Sequence, residues 1–275
     1  CPKTIAQDGV TREVKLDLQD RFCLNGNQLK LTGGTYGVAG STYQTEMEQF
    51  ARVTTYGAAG NGPAYFIAEY KNGLIYEFGN TTDSRIESKG VAHVRTWAVN
   101  KIRDRSQNEI LFNYTEDTVN GSYRINTIQY TGNPGQGLTP RYTVQFSYET
   151  RPVGHYLSWY RAGGLIKFVT RLDKVEVFYY TAPAQPIRSY DLTYEEFLSS
   201  AGHSRLASIT ECGTTPSLSF LQCYAPLQLT YQSNGAGINY LNAGAGLANV
   251  PAWSDALPVD VNGDGRTDLV YSSNT

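Results

Sequence analysis

The feature that most constrains this chain is a short repeated rhythm. Runs of about 6–9 residues alternate polar and apolar side chains, and each run stops at Gly, Asn, Asp or Pro. "TREVKLDL" from Thr11, "AYFIAEYKNGLIYEFG" from Ala64, "YRINTIQYTG" from Tyr123 and "RYTVQFSYETRP" from Arg141 all follow it, as do "LIKFVTRLDKVEVFYY" and "IRSYDLTYEE". A strand sends successive side chains to opposite faces, so each run has one face to bury. Asn25-Gly26 and Asn72-Gly73 sit between apolar runs, where Asn-Gly closes a tight hairpin. "HVRTWAVNKIRDRSQNEILFNYTE" reads as two strands around "DRSQN". The pattern predicts an all-β fold of successive antiparallel hairpins in a rolled or curved sheet. Only "EEFLSSAGH" (195–203) reads as briefly helical. The 21 Tyr, 10 Phe and 27 Gly agree with this, since aromatic residues suit a pleated surface and Gly supplies its turns.

The aromatic runs recur loosely, as in "LIYEFG", "LFNYTED", "TIQYTG" and "VQFSYET". Each such hairpin needs neighbours to bury its face, so stacking would extend the sheet. The spacing is irregular, which makes the chain repeat-like and not a true repeat. From Tyr231 the texture changes to "QSNGAGINYLNAGAGLANVPAWSDALP", rich in Gly, Asn and Ala. The expected domains are therefore 1–230 and 231–275, with the boundary region at 226–250. The GAG triplets lack the preceding strand and following helix that a dinucleotide site needs.

The charges nearly balance, 23 Lys+Arg against 25 Asp+Glu, so no basic face is expected and nucleic acid is excluded as a partner. The longest apolar runs are under about ten residues, too short to span a membrane as a helix. The chain opens on Cys1, with no signal-peptide pattern before it, and is expected to be a processed or partial polypeptide. Cys212 and Cys223 lie on two strand-like runs around a Gly/Thr/Pro loop. A hairpin would bring them together as a disulfide, the alternative being two buried thiols. Cys1 and Cys23 form a second, less constrained pair. No CxxC spacing or His cluster points to zinc.

Near the end stands "DVNGDGRTDLVY" (260–271). Asp260, Asn262, Asp264 and Asp268 occupy positions 1, 3, 5 and 9 of a loop, Gly265 stands at the turn, and the carbonyl of Arg266 fills position 7. Hard Ca²⁺ takes six or more oxygens, and alternate side chains of such a loop converge on one point. An EF-hand would end on Glu at position 12, where this chain has Tyr271. The flanks "WSDALPV" and "LVYSS" also lack helical character. A strand-loop-strand frame with a structural Ca²⁺ is expected; the alternative is an Asp/Asn/Gly turn that binds nothing. The form D-x-N-x-D-G-x-x-D-L resembles an FG-GAP/VCBS-type β-propeller blade. One blade cannot make a propeller, so the chain is expected to continue beyond Thr275.

Taken in order, "DRFCLNGNQLKL", "YQTEMEQFARVTTYG", "GPAYFIAEYKNGLIYEFG", "TWAVNKIRDRSQNEILFNY", "RLASITEC" and "PVDVNGDGRTDLVY" resemble the SpvB-like N-terminal region of the insecticidal toxin complex B component, within the RHS/YD-repeat group. The resemblance runs from about residue 15 to the end. It implies a segment of a large secreted protein, part of a β-shell that encloses or presents a toxic effector. It also implies partners: the remainder of the same polypeptide, and toxin-complex A and C type components. The alternative reading is a calcium-dependent cell-surface adhesion or glycan-binding module, with Trp97, Trp159 and Trp253 as possible sugar platforms against a core role.

No catalytic residue is assigned. Glu46-Met47-Glu48 has an E-x-E form but reads as the solvated face of a strand. Adjacent Glu195 and Glu196 would not converge on one substrate. His93, His155 and His203 are scattered, with no GxSxG and no HExxH. Asn80-Thr81-Thr82, Asn113-Tyr114-Thr115 and Asn120-Gly121-Ser122 match the glycosylation pattern but read as turn residues.

Overall fold

The computed structural model describes residues 1, 14–17, 20–90, 93–179, 186–195, 204–214, 222–231, 257–259 and 268–270. It divides into two compact units, Cys1–Gln228 and Leu229–Thr275.

The first unit is a fifteen-stranded antiparallel sheet. Its strands begin with β1 (Cys23–Leu24), β2 (Asn27–Gly33), β3 (Thr42–Thr45), β4 (Ala51–Tyr56), β5 (Tyr65–Tyr70) and β6 (Ile75–Phe78). The chain then leaves the sheet for a separate hairpin, β7 (Arg85–Glu87) with β8 (Val94–Trp97). It returns through β9 (Val99–Arg103), β10 (Glu109–Asp117), β11 (Ser122–Gly132) and β12 (Tyr142–Thr150). A second excursion forms the hairpin β13 (Leu157–Arg161) with β14 (Gly164–Phe168). The sheet closes with β15 (Thr170–Tyr179), β16 (Arg188–Glu195), β17 (Arg205–Gly213) and two short edge pieces on β17, β18 (Gln222–Cys223) and β19 (Leu227–Gln228). Apart from the two excursions and β19, which returns to pair with β17, each strand pairs with its neighbour in sequence. Two 3₁₀ turns, Thr82–Ser84 and Pro134–Gln136, are the helical elements among the described residues. None is long and apolar enough to cross a membrane.

The hairpin turns follow from local chemistry. Asn25 and Gly26 both take positive φ (49° and 80°), the mirror-image turn whose twist suits flanking strands. At the second Asn-Gly pair only Gly73 does (φ 88°), while the Asn72 side chain accepts from the Leu74 amide. Two long runs prove to be split. "HVRTWAVNKIR" breaks at Ala98, whose amide bonds Ser84 and whose carbonyl bonds Gly79, so that Val94–Trp97 joins one sheet and Val99–Arg103 another. "LIKFVTRLDKVEVFY" breaks at Val169, where Arg151 takes the carbonyl. The expected strand at "TREVKLDL" does not form over 14–17. There the Asp20 carboxylate captures the amides of Lys15, Leu16 and Asp17, which a ladder would otherwise use. The stretch 196–203, expected to be helical, lies outside the described residues, and Glu195 ends a strand.

The two halves of the sheet bury their side chains differently. In the first, Leu24, Leu29, Tyr43, Ala51, Val53, Phe66 and Ala68 form one core, with Phe22, Tyr36 and Trp97 packed against it. Phe22 meets Tyr36 face to face and Phe66 and Trp97 edge-on. Each fully buried large apolar side chain there stabilises the fold by about 1.5–3 kcal/mol. In the second half the register separates two faces, because directly paired residues share a face. Tyr76, Ile102, Ile110, Tyr130, Tyr142 and Tyr179 form one unbroken row, followed by Phe112, Ile128, Val144 and Val177. The opposite face carries Asn113, Thr127, Gln145, Glu176 and Ser189 and the row Leu111, Gln129, Thr143 and Phe178, with the cross-strand ion pairs Arg171–Glu149 and Lys174–Asp191. No apolar side chain of β10, β11, β12 or β15 is fully buried.

Both excursions meet the β10–β11 turn. Lys89 donates to Leu165, Lys167 to Asn120, and Arg95 to Gly121. A Cβ at Gly121 (φ 65°) would lie 2.3 Å from the Leu165 carbonyl, so only Gly lets the three segments touch. In the second unit, β20 (Leu257–Val259) pairs antiparallel with β21 (Asp268–Val270).

Candidate functional site

Of the proposed calcium ligands, Asp260, Asn262, Asp264 and Arg266 lie outside the described residues, while Asp268 opens β21. Val259 pairs directly with Asp268, so residues 260–267 span two paired strands. The flanks are therefore strands and not the helices of an EF-hand. The donor set is carboxylate, amide and carbonyl oxygen, which fits a hard divalent cation. Among the described residues no cluster of three or more His, Cys, Asp or Glu side chains could hold a metal.

All four cysteines are paired, Cys1 with Cys23 and Cys212 with Cys223. Cys212 and Cys223 are direct cross-strand partners of β17 and β18. Cys1 sits beside the first core strand through reciprocal backbone bonds with Arg21.

Among the described residues, the candidates Glu46, Glu48, Glu195 and His155 are engaged in structural contacts. Glu46 lies beyond the end of β3, ion-paired with Lys30 at 2.9 Å, and Glu48 accepts from the Phe50 amide. Glu195 pairs with Arg205 across β16 and β17; Glu196 and His203 lie outside the described residues. His155 is buried, with Nδ1 2.9 Å from the Ser204 hydroxyl, a contact over 49 residues of sequence. The Asn80, Asn113 and Asn120 amides donate to Glu77, Thr127 and Asp117. Trp97 is core and donates to the Pro63 carbonyl, whereas Trp159 is 47% exposed on β13, stacked on Phe168. Trp253 lies outside the described residues.

A cleft of about 830 Å³ opens beside the Cys1–Cys23 bond. Phe22, Phe66, Phe78 and Trp97 line its apolar part, and His93, Arg95, Arg161 and Asp20 its polar part. The Tyr36 hydroxyl at its wall accepts the Phe22 amide, and burial pushes its pKa up to about 12. Burial pulls the Arg95 pKa down, Tyr123 opposes this, and the charge of Arg161 adds to the depression. Nothing in the sequence marked this group, because β8, the β13–β14 turn and the first core strand meet only in the fold.

The SpvB family, described as the Salmonella virulence plasmid 65kDa B protein, matches residues 10–162. That is more than half of the 275 residues. The chain belongs to the SpvB family. No curated protein sequence matches it. Among solved structures, TcdB2-TccC3-Cdc42 aligns with 95% of this SpvB-family chain at a TM-score of 0.65 and 16% identity, using 15% of its own chain. The Photorhabdus luminescens Tc holotoxin pore (TccC3-D651A) aligns with 90% at 0.57 and 16% identity, over 14% of that chain. The N-terminal domain of the effector protein SpvB from Salmonella typhimurium strain LT2 aligns with 80% at 0.50 and 16% identity, over 84% of that chain. At these identities the likeness is one of fold. The SpvB-family chain thus spans about one-seventh of the toxin-complex chains it resembles.

Proposed function

We propose that this chain is a non-enzymatic, wall-building segment of a large secreted toxin-type polypeptide, contributing to a β-shell that encloses or presents an effector. The observation that carries the reading is the second half of the sheet. Its long strands set tyrosine and aliphatic rows on one face and a mainly polar set, with Leu111 and Phe178, on the other, yet bury neither completely. A sheet with an apolar face gains its stability by covering that face. The remainder of the polypeptide is the natural cover, with toxin-complex A and C type components as further partners. The two disulfides accord with a secreted or cell-surface location. The loop 260–268 holds a structural Ca²⁺ that pins the first hairpin of a propeller blade.

The non-enzymatic reading rests on the engagement of the candidate groups in ion pairs, caps and core contacts. His93 and Asp20 do share the cleft, but the Asp20 carboxylate is committed to three backbone amides and His93 Nδ1 has no partner, so these two do not form a base–orienter pair. The second reading, a glycan-binding or adhesion module, is favoured by the exposed Trp159 and by Tyr160, 73% exposed beside it.

The intact mass of the natural polypeptide separates the two. A mass several times the 30.4 kDa of this chain is expected. A mass near 30 kDa would remove the shell and favour the small calcium-bearing binding module.

A further inference from the structure

The cleft beside Cys1–Cys23 is lined by three arginines, Arg21, Arg95 and Arg161, by the Cys1 ammonium, which donates to the Arg21 carbonyl, and by the carboxylates of Asp17 and Asp20. Asp20 is committed to the amides of Lys15, Leu16 and Asp17. Arg21 lies over the Tyr36 ring at 4.8 Å and donates to the Asp20 carbonyl. Arg95 reaches the Gly121 carbonyl at 3.3 Å through Nη2, while its Nε is buried with no acceptor. His93 Nδ1 is likewise buried with no partner. Neither Arg95 nor Arg161 forms an ion pair with a carboxylate of the described residues. Of the three guanidinium groups that line the cleft, Arg95 and Arg161 thus have no carboxylate partner among the described residues, and His93 Nδ1 and Arg95 Nε are buried and unused.

Buried polar atoms and charges are costly when left without partners. A forked guanidinium matches the paired oxygens of a phosphate or carboxylate. Beside the cations lies an aromatic floor of Phe22, Phe66 and Trp97. A volume of about 830 Å³, mostly apolar walls and a few convergent polar groups are the marks of a small-molecule site and exceed what a lone inorganic ion needs. We propose that this cleft binds a small organic oxyanion. Its phosphate or carboxylate group is held by Arg95 and Arg161 with His93 as an additional donor, and its apolar or aryl body lies on Phe22, Phe66 and Trp97. This is independent of the shell reading, since the cleft is built from the core of the first half of the sheet and from the two excursions, not from the long strands of the second half.

The test uses the whole 275-residue chain and phenyl phosphate as the probe, with inorganic phosphate and NaCl at matched ionic strength as references. Phenyl phosphate at ~10 mM is expected to raise the melting temperature by about 2 °C more than NaCl does. By titration calorimetry, Arg95→Met and Arg161→Met should each weaken phenyl phosphate by about tenfold or more. Arg161 is exposed at a hairpin turn, so its variant retains the fold even if Arg95→Met does not. Arg188→Met, on an exposed arginine outside the cleft, serves as control and should bind as the parent does. No shift beyond NaCl would overturn the site, as would binding that survives Arg161→Met. Equal affinity for inorganic phosphate would overturn it too, because the aromatic floor would then contribute nothing. An acidic peptide that binds in preference to phenyl phosphate would replace the small ligand with a protein segment and overturn the assignment.

Discussion

Glu116 shows how one residue senses the packing of an excursion on the sheet. It stands next to last in β10, beside Glu87 of β7, and its pKa is raised to about 6, first by burial and then by Glu87, with Asp83 adding to the rise. A carboxyl raised in the folded state holds its proton more tightly there than in the unfolded chain. The stability it contributes is therefore complete below the ordinary carboxylate range and is lost as pH rises through about 6. Glu116→Gln keeps the hydrogen-bonding shape without the charge. It should flatten the pH dependence between 5 and 7.5 and raise the melting temperature at pH 7.5 by roughly 1–2 °C, a figure discounted for the residue's solvent exposure. Thermal melts at the two pH values check this; an unchanged difference between them would sink the account. The sequence carried no sign of the pair, since Glu87 and Glu116 belong to strands of different sheets.

Among the elements, the last strands of the sheet depend most on a covalent link. β18 has two residues and pairs only with Cys212 and Gly213. So short a ladder contributes little by itself, and the Cys212–Cys223 bond does most of the holding. Closing a loop of this length constrains the unfolded chain by about 3 kcal/mol. Replacing both cysteines by Ser should lower stability by roughly that amount, and hydrogen-exchange protection should disappear first at 222–228 while β10 to β12 keep theirs. Equal loss across all of these strands would refute the staple. The Cys212–Cys223 hairpin was legible, because two strand runs around a turn are a local pattern. The two inserted hairpins were not. Ala98 and Val169 sit inside continuous strand-like runs with no Gly, Pro, Asn or Asp at the break, and the adjacent apolar residues Trp97-Ala98-Val99 and Phe168-Val169 do not by themselves mark a departure from the sheet.

Across the whole molecule, the division into Cys1–Gln228 and Leu229–Thr275 gives the calcium proposal its own readout. Terbium, a luminescent stand-in for Ca²⁺, should bind in the second unit and be displaced by Ca²⁺. Asp264→Ala should weaken it by at least about tenfold, since one of few charged donors is lost. Chelation should leave the melting of the fifteen-stranded unit unchanged, because its described residues include no metal cluster. Terbium binding that persists in Asp264→Ala would remove the loop from consideration.

What the sequence by itself determined is most of what has a short range, the strand expected at "TREVKLDL" apart. The period of two made the chain all-β, Asn-Gly and Gly placed the hairpins, and neighbour-to-neighbour pairing followed from short connections. The spacing of Asp260, Asn262, Asp264 and Asp268 is likewise a local pattern, and it is what carries the calcium proposal. Only the tertiary structure decided which runs leave the sheet. It alone joined His155 to Ser204 and brought Glu116 against Glu87. It also gathered His93, Arg95 and Arg161 around one cleft. These contacts join segments far apart in sequence, and their geometry depends on register accumulated strand by strand, which no local pattern records.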